Sequence, residues 1–257
     1  MRGVTEEFDA ARVLGEVVSD RGRVWGFLRA FAAAWSTPLS DDDGVPAGDL
    51  EQAEARLGLG LPPALRECYA LLGTRADLTG NQDPLLPPDQ LFVHDEFGGV
   101  LVFRAENQGC AYWGVRLADL GRDDPPVFVQ SRDGWLPFMS RLSLAVSELV
   151  LSESLFAPGR FYNACELPAD LIEVLPRRFA RLGLPDYPLW TGNQESPVRW
   201  YSAPGVLLRL DGLDAFSWLH AVCRTRADLE ALEEALPARW ALGYPRLSPV
   251  EVGDLPF

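Results

Sequence analysis

The sequence predicts an α+β fold: helices packed on a mostly antiparallel sheet, with N-terminal helices and a C-terminal β-β-β-α extension. Three observations carry this expectation. Three strand-like runs follow one another within Gly98–Phe138, with no room for the crossover helices of a parallel sheet. A helical run follows at once, from about Leu142 to Phe156. The same order of three strands and a helix recurs over residues 197–236. The chain divides accordingly into an N-terminal helical segment (1–45), a core (46–157) and an extension (158–257). The extension is expected either to lengthen the first sheet or to form a lobe of its own.

Taken in order, Thr5 to Val18 is compatible with a helix: Thr5 is a candidate N-cap, and Phe8, Ala11, Leu14 and Val18 share a face. Val24, Phe27, Leu28, Phe31 and Trp35 mark a second helix over Arg23–Ser36, stopped by Thr37-Pro38. Ser40 to Gly48 reads as a polar linker. A third helix begins near Asp49 as N-cap and ends at Gly58. Pro62-Pro63 opens a fourth, which buries Leu65, Cys68, Tyr69 and Leu72 and ends at Gly73; prolines suit a first turn, whose amides have no partner within the helix. Thr74 to Pro88 is a turn-rich connection and Leu91–Val93 a short strand. In the meander, Asn107-Gln108-Gly109 supplies the tight turn, and Pro125-Pro126 delays the third strand to Val127. Leu142, Val146, Leu149 and Val150 of the next helix, with Ser140 or Ser143 as cap, are expected on the sheet. In the extension, Pro168–Leu182 is helical but broken by Pro176. Strands over Val198–Ser202, Val206–Leu210 and Phe216–Arg224 precede a helix over Thr225–Leu236, and residues 245–257 read as a surface tail.

Composition narrows the function classes. The hydrophobic content of 47% and eight Trp are those of a packed globular protein. Cys68, Cys110, Cys165 and Cys223 form no C-x-x-C pair, and two histidines cannot build a His-rich metal centre; reduced, mostly buried thiols are expected. No segment reaches the ~18 apolar residues of a membrane span, and the acidic start MRGVTEEFDA is unlike a signal peptide, so a cytoplasmic protein without a membrane partner is expected. Net charge is −14, and every basic residue is arginine. Residues 39–97 alone hold 12 acids and three Arg, for a net −9. Nucleic acid is excluded as a direct partner by the sign of this charge; a basic protein fits it. Solubility alone is the competing explanation.

Two pieces of the chain resemble a known family. LEQAEARLGLGLPPALRECYALLG, Leu50 to Gly73, resembles the opening helix–join–helix signature of the SUKH superfamily, the Smi/Knr-type proteins. ENQG at Glu106–Gly109, Trp113-Gly114 and DPPV at Asp124–Val127 resemble the sheet portion of one branch of it. The match spans about Pro46 to Phe156. The resemblance implies helices on an antiparallel sheet, and a binding role without catalytic residues. Many bacterial members look like immunity proteins that neutralise a cognate polymorphic toxin, and fungal relatives act as interaction hubs linked to cell-wall synthesis.

Catalytic signatures are not found: there is no G-x-S-x-G, no Walker-type loop and no H-E-x-x-H. His94-Asp95-Glu96 is a weak metal candidate, because neighbours on a strand point to opposite faces, and His220 lies in an apolar run. No enzyme, cofactor or metal is expected. The candidate contact surface is Asp41, Asp42, Asp43, Asp95 and Glu96, facing a toxin domain with a basic surface. Glu106, Asp123 and Asp124 are further candidates; the structural alternative is an ion pair with Arg104 or Arg116 for Glu106, with Asn107 and Gln108 satisfying the turn amides, and a turn cap for Asp123 and Asp124. Trp113 and Trp135 are expected in the core. Two other readings stay open: a housekeeping scaffold binding a cellular protein, and an enzyme with His94 or His220 beside an acid and a nucleophile in a cleft.

Overall fold

The computed structural model describes residues 8–17, 19–132, 134–191, 197–212 and 217–243. The fold is α+β, and its strands form two antiparallel five-stranded sheets. Helix α1 (Ala10–Val17) starts after Asp9, whose carboxylate accepts the Arg12 amide at 3.0 Å; the proposed Thr5 cap lies outside the described residues. Helix α2 (Arg21–Trp35) is capped by Asp20 and buries the predicted aromatic stripe, with Phe31 and Trp35 stacked at 5.8 Å. Helix α3 (Ala47–Leu57) begins two residues before Asp49, which sits in its first turn rather than at its cap. Helix α4 (Pro63–Leu72) starts and stops at the predicted prolines and glycine. Its Tyr69 hydroxyl donates to the Leu86 carbonyl at 2.5 Å and ties the following connection to the core. That connection holds a single helical turn, α5 (Ala76–Thr79).

The first sheet is a meander in spatial order β1 (Phe92–His94), β2 (Val100–Ala105), β3 (Tyr112–Arg116), β4 (Val127–Ser131) and β5 (Gly134–Met139). The short strand expected at Leu91–Val93 is β1, and β5 adds one strand to those predicted. β5 carries Pro137, which a central strand would not tolerate; as the outermost strand it leaves one edge unpaired and accommodates the missing donor. Two glycines are required by geometry. Gly109 closes the β2–β3 turn at φ 73°, and a Cβ on Gly114 would come within 2.5 Å of the Leu101 carbonyl oxygen on the neighbouring strand.

Helix α6 (Leu142–Leu155) is buried along its whole length, including Ser143, Ser147, Glu148, Ser152, Glu153 and Ser154. It is the spine of the molecule, touching α2, α4, α5, the first sheet and the second. Its N-terminus is capped from outside: the Asp124 carboxylate accepts from the Ser143 amide at 2.8 Å and from its hydroxyl at 2.6 Å. Neither Ser140 nor Ser143 acts as the cap.

The extension does not lengthen the first sheet. It builds its own, in the order β6 (Phe161–Glu166), β10 (Ser217–Cys223), β9 (Val206–Gly212), β8 (Arg199–Ala203) and β7 (Ala180–Arg181). β6 was not predicted. Between β6 and β7 the expected helix is reduced to two single turns, α7 (Ala169–Ile172) and α8 (Leu175–Arg178), with Pro176 in the first turn of the second. One face of this sheet places Trp200, Leu207 and Val222 in a continuous core with the helices and the first sheet. The other places Leu208, Leu210 and Leu219 against Leu229, Leu232 and Leu236 of the region of α9 (Arg226–Ala235). The predicted tail, 245–257, lies outside the described residues. Among the described residues, no helix is long and apolar enough to cross a membrane.

Candidate functional site

The acidic segment 39–97 separates into two sets of carboxylates. One set is committed to holding the fold. Asp43 closes a 3-10 turn by accepting the Ser40 amide at 2.7 Å and pairs with Arg75 at 3.1 Å; that amide and guanidinium hold its carboxyl below the usual range. Arg75 also grips Asp77 at 2.8 Å. Glu54 pairs with Arg66 at 2.6 Å, and Glu67 accepts from Arg21 at 3.0 Å and the Trp25 indole at 2.7 Å. The second set is free: among the described residues, Asp41, Asp42, Asp49, Asp89, Asp95 and Glu96 are exposed and enter no side-chain hydrogen bond or ion pair.

Part of the second set surrounds a groove of about 700 Å³ between α3 and the chain leading to β1. Val45, Ala53, Pro87 and Pro88 form apolar wall, and Asp49 and Asp89 stand at its rim. Arg56, the cation among its lining residues, donates to the carbonyls of Pro88 at 3.1 Å and Leu91 at 2.8 Å and so ties α3 to the chain leading to β1. Asp41 and Asp42 lie on the turn beside it, fixed through Thr74, whose amide and hydroxyl both donate to the Asp43 carbonyl. Asp95 and Glu96 are carried by a different element, the β1–β2 turn.

The further candidates are internal. The Glu106 carboxylate accepts from the amides of Gln108 at 2.8 Å and Cys110 at 3.1 Å, so it organises the β2–β3 turn and pairs with neither Arg104 nor Arg116. The Asp123-Asp124 pair caps two helices: the Asp123 carbonyl accepts the Ala64 amide of α4, and Asp124 caps α6. Only the side chain of Asp123 is free to face outward, with Arg21 at 4.0 Å. Trp113 and Trp135 are buried as predicted. Cys68, Cys165 and Cys223 are buried, and burial pushes each thiol up to about 12; Cys110 is exposed.

Sequence reasoning missed a second polar region, the junction between the two sheets. Arg104 of β2 stacks over Trp113 at 4.4 Å and pairs with Glu148 at 2.8 Å and Glu153 at 3.6 Å, all three nearly without exposure. Glu148 also accepts from Tyr187 at 2.9 Å and Ser152 at 2.5 Å. Arg209 of β9 donates to Ser152 at 3.2 Å and twice to Asp211 at 2.8 Å. His220 of β10 lies between Asp211, at 3.3 Å from Nε2, and the Tyr162 hydroxyl, at 2.8 Å from Nδ1. Desolvation lowers the His220 pKa. Burial works to raise that of Asp211, but Arg209 and His220 hold it below the usual value. Asp83, beside Glu153 and Glu106, is raised, chiefly by burial.

A crevice of about 220 Å³ opens over this junction, lined by Asp83, Glu106, Ser152, Trp190, Arg209 and His220 among others. His220 therefore has an acid and a cleft. The hydroxyl on its other nitrogen is Tyr162, whose pKa burial raises, away from a nucleophilic phenolate. Ser152 is engaged by Glu148 and Arg209. The geometry ties His220, Tyr162 and Ser152 to partners within the junction and aims none of them as a base at a nucleophile. Among the described residues no group of three or more His, Cys, Asp or Glu is placed to hold a metal ion. No protein-family model matches the chain, and neither a curated protein nor a solved structure matches it.

Proposed function

We propose that this protein is a non-catalytic binding protein that neutralises a toxin domain with a basic surface, by docking that surface on the acidic groove and covering the toxin's own active or substrate-binding face. The observation that carries the reading is the division of carboxylates within one segment. Where the fold needs a carboxylate, an arginine or an amide meets it; around the groove, Asp41, Asp42, Asp49 and Asp89 are left without partners. Unpaired like charges around an apolar wall repel one another in the free protein and are relieved by an opposing basic surface. The resemblance of Leu50–Gly73 and of the β2–β4 punctuation to the SUKH superfamily supports the same reading, and α3, inside the first of these stretches for most of its length, supplies Asp49, Gln52, Ala53 and Arg56 to the groove.

The test is a search for a secreted toxin encoded beside the gene, whose absence removes toxin neutralisation, followed by protection of cells expressing it and association kinetics measured over a salt series. The wild-type protein protects, and the variant Asp41→Arg/Asp42→Arg/Asp49→Arg/Asp89→Arg associates on the order of tenfold more slowly, with a flatter salt dependence. Unchanged kinetics and salt slope in the variant remove the groove from the reading. Wild-type protein that fails to protect removes toxin neutralisation altogether and favours a scaffold for a cellular protein.

A further inference from the structure

Phe97 combines two features that stability does not explain. It lies in the β1–β2 turn at φ 56° and ψ 34°, and it is the non-glycine residue with positive φ among the described residues. Left-handed backbone is unfavourable for a bulky side chain, and such strain persists where a function holds it in place. Its ring is also 62% exposed, so burial returns little for the strained backbone. The turn is built around this display. Gly98 and Gly99 follow at φ 83° and 89°, and the ring rests over Gly134 of β5, where a Cβ would stand 2.8 Å from the Phe97 Cζ atom. Glycine at 134 thus leaves the space that the ring occupies. Together they form an open groove of about 660 Å³ with Glu96, Gln130, Ser131 and Arg132.

The neighbours of Phe97 state what would meet it. Asp95 and Glu96 directly precede it, exposed and without ion pairs among the described residues, against one guanidinium, Arg132, across the groove. We infer that Phe97 is an aromatic anchor of the partner-binding surface, and that it enters an apolar socket edged by arginine or lysine on a basic protein. Aromatic residues flanked by charged rim groups are the usual composition of binding hot spots. The inference rests on the proposed function and adds to it a second contact, carried by the first sheet instead of the α3 groove.

Two measurements on the full chain test it. Without any partner, Phe97→Gly relieves the left-handed backbone and raises the midpoint of thermal unfolding by about 2–4 °C. With the toxin domain identified by the search above, the same variant binds at least about tenfold more weakly, and Phe97→Leu recovers part of that loss. A midpoint that falls in Phe97→Gly makes the ring a structural element and overturns the inference. So does unchanged affinity in Phe97→Gly when the wild-type protein binds, an outcome that leaves the proposed function standing. Wild-type protein that does not bind the toxin domain removes both.

Discussion

The carboxylates of the sheet junction and those of the groove rim are chemically the same groups in opposite situations. Glu148 and Glu153 are buried on α6, and between them they accept from an arginine, a tyrosine, a serine and two backbone amides. Asp41, Asp42, Asp49 and Asp89 are exposed and accept from nothing among the described residues. A buried charge must be matched within the protein, because the cost of leaving it unpaired is several kcal/mol. An exposed charge is solvated by water and contributes little to the fold. The first group therefore reports how the two sheets are joined, and the second is available for recognition.

The largest effect is expected at Glu148. Glu148→Ala leaves Arg104 and Tyr187 facing a void and is expected to lower stability by about 3–5 kcal/mol, read from urea denaturation. A loss no larger than that of a rim variant would mean that water reaches the junction. Asp124 is an intermediate case, half in the loop and half in the fold. Asp124→Ala removes the cap of α6 and should lower stability by about 1 kcal/mol, with Asp124→Asn retaining most of it. His220 sharpens the comparison by pH. Its folded pKa lies below the ordinary 6.5, so the unfolded chain takes up its proton first as pH falls. The contribution of the neutral imidazole is complete above about 6.5 and is lost as pH drops from there through the lowered folded value. His220→Gln should flatten the stability profile over that window, whereas rim variants should keep the wild-type shape. The smallest effect belongs to the rim: Asp41→Asn, Asp42→Asn and Asp49→Asn should each stay within about 0.5 kcal/mol of wild type in the same denaturation experiment.

What could be read from the sequence was what neighbouring residues determine. The stripe of α2, the proline start of α4 and the Val127 start of β4 are set within one or two turns of chain, and all three stand where predicted. β6 was missed because FYNACE alternates poorly, with Asn163 buried and hydrogen-bonded to Glu233 at 2.9 Å; its identity as a strand comes from pairing with β10 more than 50 residues away. β5 was obscured by Pro137, which is harmless only at an edge, and edge position is a property of the sheet. The acidic excess of residues 39–97 was visible as a number. Its division into paired and unpaired groups was not, because Asp43 meets Arg75 across 32 residues and Glu67 meets Trp25 across 42. Asp124 looked like a loop acid for the same reason, since the Ser143 amide it accepts lies 19 residues on, whereas the partners of Glu106 are local amides of its own turn.

The complete burial of α6 has a consequence for the order in which the molecule can be made. When the ribosome has released residues through Leu155, the first sheet and its helices have all their strands, yet the side of α6 that bears Glu148 and Ser152 still lacks Tyr187, Trp200 and Arg209. The nascent chain at that stage presents one side of α6, both apolar and charged, without its cover. The last 100 residues supply that cover, so the chain through residue 157 is a waiting intermediate, and a stop codon there would release a product with an open seam for chaperones and proteases to recognise.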